Sequence, residues 1–91
     1  MTMKSCICRT WEHVEAYLET IPGDSSIVIE ETTLSSKDVY YVQWIPGTEV
    51  HRFNFLSDGK YDLYYKFEDG EFADIGTPAL QRTETMVSHL E

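Results

Sequence analysis

The sequence predicts an α+β fold: an antiparallel meander sheet of about five strands with an N-terminal and a C-terminal helix, in the order α-β-β-β-β-β-α, with residues 1–91 as a single domain. Three observations predict it. An apolar stripe at helical spacing runs through residues 11–21. Segments rich in β-branched and aromatic residues follow, separated by turn pairs at 46–47, 58–59 and 69–70, a spacing of 11 to 12 residues. A Thr-Pro pair then opens a second helical pattern near the end.

The first helix follows from Trp11, Val14, Leu18 and Ile21, which recur at +3, +7 and +10 and share one face. Thr10 is its N-cap, Glu12 falls in the first turn where the helix dipole favours an anion, and Pro22-Gly23 stops it. Strands are expected from Ile27 to Leu34 and from Val39 to Ile45; the second carries apolar groups on both faces, as an interior strand does. Pro46-Gly47 is a turn pair, and "TEVHRFNFL" (48–56) reads as a third strand in which Phe53 and Phe55 alternate with Arg52 and Asn54. "YDLYYKF" (61–67) alternates Tyr61, Leu63, Tyr65 and Phe67 against Asp62, Tyr64 and Lys66.

Asp58-Gly59 and Asp69-Gly70 are hairpin signals. A three-residue loop "SDG" would pair Phe55 with Tyr61 and Phe53 with Leu63, which keeps the phenylalanines on the correct face; a two-residue loop would invert them. At "EDG" two registers stay open, Phe67 against Phe72 or Leu63 against Ile75. The last helix has Thr77 as N-cap, Pro78 in its first turn, and an inner face of Ala79 or Leu80, Thr83, Met86 or Val87, and Leu90. Both helices are expected to cover one face of the sheet.

Sixteen Asp and Glu against seven Lys and Arg give a net charge of −9. That sign disfavours direct binding to nucleic acid and to anionic membranes. No apolar run reaches the ~20 residues of a membrane span, and "MTMKSCICRT" has no apolar core of a secretion signal, so a cytoplasmic location is expected. Cys6 and Cys8 could form a metal pair with His13 or a redox pair. A bridge between residues two apart is strained, and zinc usually needs four ligands. The plainer reading is two reduced thiols on one face of a first strand, packed in the core.

Little else points to catalysis. The five glycines sit singly at turns, so no phosphate loop is present, and no nucleophile elbow occurs. His13, His51 and His89 are scattered, and a carboxylate pair such as Asp62 and Asp74 would need a cleft that so short a chain hardly provides. "EDGEFAD" lacks the calcium-loop pattern. No enzyme, no cofactor and no metal site are expected.

What remains is a surplus of carboxylates. Glu12, Glu15 and Glu19 form a helix stripe with no base at i+4, and Asp62, Glu68, Asp69, Glu71 and Asp74 have only Lys60 and Lys66 near them. Tyr64 is expected on the open face of the sheet, beside Asp62 and Asp74, and tyrosine amid acids suits a protein-binding surface. The expected partner is therefore a basic protein surface, with a homo-oligomer possible. The leading expectation is an inhibitor that imitates nucleic acid phosphates, as small phage anti-defence, anti-CRISPR or anti-restriction proteins do. Alternatives are an immunity protein for a basic toxin and a small-molecule binder with an aromatic-lined sheet.

Overall fold

A computed structural model describes residues 3–56 and 61–76. In chain order it has β1 (Lys4–Cys8), α1 (Trp11–Thr20), β2 (Ser25–Leu34), β3 (Lys37–Pro46), a 3-10 turn (Val50–Arg52), β4 (Tyr61–Lys66) and β5 (Phe72–Gly76). The five strands form one antiparallel sheet in the order β1-β3-β2-β4-β5. The fold is α+β, but its sheet is no meander. β1 and β2 both run antiparallel to β3, so they are parallel to each other with β3 between them, and α1 makes the connection. A strand thus precedes the first helix, contrary to the expected order. The expected C-terminal helix lies outside the described residues.

The helix forms as its sequence dictates. Thr10 Oγ1 accepts from the His13 N–H at 3.1 Å, which satisfies one of the orphan donors of the first turn. Val14 and Ile21 are buried, and with Cys8, Ile27, Ile29 and Val42 they make the core on one side of the sheet, here the helix face. Trp11 stays partly exposed at the rim, its ring edge-on to Tyr40 with centroids 5.4 Å apart.

The opposite face is covered by residues 47–56, and here the sequence expectation fails. The segment 48–56 forms no strand. Phe53 and Phe55 do alternate inward, but they pack as a plug on Val28, Ile45 and Leu63, here the loop face. β4 pairs instead with β2, from Ser25↔Lys66 to Glu30↔Tyr61, so the expected pairing of Phe53 with Leu63 and Phe55 with Tyr61 does not occur. The Phe55 and Tyr61 rings still meet, at 4.4 Å, across layers. β2 explains the outcome: its residues Ser25–Glu30 are all buried, which requires a strand on each side and a layer on each face. β3 and β4 fill the two edges, and the 48–56 segment fills a face.

A segment lying on a sheet needs other partners for its backbone groups. Gln43, fully buried on β3, supplies them: its Nε2 donates to the Asn54 carbonyl, and its Oε1 accepts from the Asn54 N–H at 3.0 Å. Glu30 on β2 accepts from the Leu56 N–H at 2.9 Å. Two polar side chains of the sheet thus replace ladder bonds.

The β2–β3 hairpin turns at Ser35 and Ser36, both at positive φ (51° and 65°), the geometry of a two-residue type I′ turn. At "EDG" neither expected register is found: Lys66 pairs with Phe72 and Leu63 with Gly76, and Ile75 falls in the irregular part of the ladder. The Gly70 N–H donates to the Phe67 carbonyl at 2.9 Å, and Gly70 takes φ of 94°.

Candidate acidic interface

Each of the eight expected carboxylates reaches solvent: Glu12, Glu15 and Glu19 on α1, Asp62 on β4, Glu68, Asp69 and Glu71 in the β4–β5 turn, and Asp74 on β5. None forms an ion pair with a described lysine or arginine. The exposed Arg52 is bound elsewhere, 2.7 Å from Glu49.

The ladder brings one trio together. Tyr64 lies directly opposite Asp74, and Asp62 is two residues along the same strand on the same face. Burial raises the ionisation of the Tyr64 hydroxyl above its ordinary value, and the charges of Asp62 and Asp74 raise it further. The trio sits on the helix face, not on the face left open by the helix as the sequence suggested, and Tyr64 packs half-buried against the α1 core. The error has a simple origin. Both faces of β4 carry aromatics, and the covering layer is chosen by what β2 and β3 place beside them.

The turn makes the second group. Asp69 Oδ1 accepts from the Glu71 N–H at 3.0 Å, and Asp74 Oδ1 from the Gly76 N–H at 2.7 Å, so turn chemistry accounts for both aspartates as residue types. The Glu68 and Glu71 side chains make no such bond to a described residue. The end of α1 docks here. A Cβ on Gly23 would fall 2.8 Å from the Glu68 Cα and 2.9 Å from the Phe67 carbonyl oxygen, so only glycine permits this approach. Glu19, in the last turn of α1, therefore lies at the same end of the molecule as Glu68, Asp69 and Glu71. Glu12, seven residues earlier, is about 10 Å away along the helix axis.

Asp24, which sequence reasoning passed over, belongs to this end. It follows Gly23, takes φ of 60°, and its Oδ1 accepts from the Tyr65 hydroxyl at 3.3 Å. The "PGDSS" stretch was its only signal, and it reads equally as a plain turn.

One cation is built into this end, and it faces inward. Lys66 is 7% exposed; its Nζ donates to the Leu18 carbonyl at 2.9 Å and lies 5.2 Å from the Phe72 ring centre. The last turn of α1 has no basic residue of its own, so Lys66 supplies the charge that a helix C-terminus favours. Its ammonium is thereby committed to the scaffold.

The histidines do not assemble a site. His13 is exposed on α1, and His51 is exposed on the 3-10 turn; His89 lies outside the described residues. At the β2–β3 end, a groove of about 390 Å³ is lined by Arg9, Glu31, Thr32, Thr33, Asp38, Val39 and Tyr40, mostly polar groups. Among the described residues no helix is long and apolar enough to cross a membrane. No family model, no curated protein and no solved structure matches the chain.

Proposed function

We propose that this protein is a non-enzymatic binding module that presents carboxylates to a basic surface of another protein, one shaped to bind nucleic acid. One observation carries the reading. Glu19, Glu68, Asp69 and Glu71 lie at the end of the molecule where α1 meets the β4–β5 turn, exposed and without ion pairs to described bases, while Lys66, a cation described there, is turned into the scaffold. Tyr64 between Asp62 and Asp74 adds an aromatic contact beside the acids. The net charge of −9 supports the same sign of partner.

In this reading the protein acts in the cytoplasm as an inhibitor. Its carboxylates occupy the sites that phosphates would take on a nuclease, a restriction enzyme, a CRISPR effector or a repressor. Opposite charges mainly speed the encounter, and the packed centre of the contact sets its lifetime.

The test has two stages. A partner captured from the host extract is identified by mass spectrometry, and its affinity is then measured against salt and against competing duplex DNA. Binding should weaken steeply with ionic strength and be displaced by DNA. The variant E68Q/D69N/E71Q should slow association by roughly ten-fold or more with the melting temperature unchanged. An affinity indifferent to salt and to DNA would overturn the proposal.

A further inference from the structure

Cys8 belongs to the helix-face core and Cys6 packs against it, yet both carry thiols that packing alone does not require. They stand on the same side of the edge strand β1, and the Cys8 thiol donates to Cys6 Sγ across 3.8 Å. Cys8 is 1% exposed; Cys6 is half-buried and opens toward the sheet edge. Both are free thiols. Their surroundings are apolar and aromatic, with Val42, Tyr40, Tyr17 and Trp44 in the same cluster. Among the described residues no third His, Cys, Asp or Glu joins them to make a metal cluster, so the pair with His13 considered from the sequence is not formed.

We infer that Cys6 and Cys8 form a two-sulfur chelate for a single soft, thiophilic cation of the monovalent copper type. The geometry favours chelation over a disulfide. Alternate Cα atoms of an extended strand lie about 6.5 Å apart, near the upper limit a disulfide spans, and closing the bond would pinch the strand. Chelation needs no such closure: an ion about 2.3 Å from each sulfur would see the present 3.8 Å separation at an angle of about 110°. That bent arrangement leaves a further coordination position on the Cys6 side, toward solvent, for an exogenous ligand. Among the described residues no third His, Cys, Asp or Glu is grouped with the two thiols, and a ligand set of two sulfurs suits a soft ion better than zinc or a hard cation.

The step balances simply. One monovalent cation replaces two thiol protons, two metal–sulfur bonds form, two protons leave to solvent, and the bis-thiolate complex carries one negative charge.

The test is anaerobic titration of the reduced full chain with monovalent copper, in competition with a chromophoric copper chelator. The expected result is one copper withheld from the chelator per chain, with two protons released. Cys6→Ser, at the more open position, should abolish the competition while circular dichroism shows the fold intact. Cys8→Ser should do the same where it folds. Competition no better than that of the Cys6→Ser/Cys8→Ser chain overturns the inference, and so does stoichiometric binding retained by Cys6→Ser.

Discussion

The two faces of this sheet are covered in opposite ways. The helix face receives α1, most of whose backbone bonds close within the helix, so its contribution to the contact is mainly apolar, Val14 and Ile21 on Ile27, Ile29 and Val42, with Lys66 bonding only the Leu18 carbonyl near its end. The loop face receives residues 47–56, whose backbone must be satisfied from outside. There the sheet buries polar side chains on purpose, Gln43 and Glu30, beside the apolar plug of Phe53 and Phe55. A helix can rest on any apolar surface, whereas an irregular segment is held at specific atoms. Its position is therefore better specified and more easily lost.

Four substitutions would break or sharpen that contrast. The largest effect is expected from Phe53→Ala, since Phe53 is fully buried and central to the loop face; truncation should cost about 3–5 kcal/mol. Val14→Ala on the helix face, also fully buried, removes fewer atoms and should cost about 1–3 kcal/mol. Urea unfolding of both variants orders them, and equal losses would erase the distinction between the faces.

Gln43→Leu comes next. It keeps bulk but strands the N–H and carbonyl of Asn54, at about 1–3 kcal/mol for the buried groups left unpaired. Hydrogen exchange should show the Asn54 amide losing protection while the α1 amides keep theirs relative to global stability. Uniform loss across the molecule would mean that the clamp does not hold the segment locally.

The smallest effect belongs to the helix face. Asp62→Asn removes one of the two charges that raise the Tyr64 ionisation, so the Tyr64 hydroxyl should titrate at lower pH than in the parent chain. A tyrosine whose folded value is raised stabilises the fold below its unfolded value, and loses that contribution as pH climbs through the folded one. In the Asp62→Asn chain the loss should begin at the same pH, be complete at a lower alkaline pH and be smaller in total. Ultraviolet titration against Tyr64→Phe isolates the relevant hydroxyl, and an unmoved curve would separate Asp62 from Tyr64.

Local chemistry made several elements legible. The Thr10 cap, the 3.6-residue stripe and the Pro22-Gly23 stop define α1 within a residue of its observed ends, and alternation located β4. The exposure of the eight carboxylates was legible too, because charged groups are seldom buried without a partner. Segment 48–56 was not. Phe53 and Phe55 point the same way whether the chain is a strand in a sheet or an extended strap upon one, and period-2 alternation looks identical in both. Nothing around Gln43 marks it as a clamp, since its partner is eleven residues away and is backbone.

By itself, then, the order of residues determined α1, β4, the excess of negative charge and the outward placement of the eight named acids, all of which depend on neighbours a few positions apart. Only the tertiary structure decided that β2 takes β3 and β4 as its flanks, that α1 packs on the same side as Tyr64, and that Gly23, just past α1, meets Phe67 and Glu68 of the β4–β5 turn. Those outcomes rest on competition between distant segments for the same two edges and two faces of one buried strand, and no local pattern records who wins.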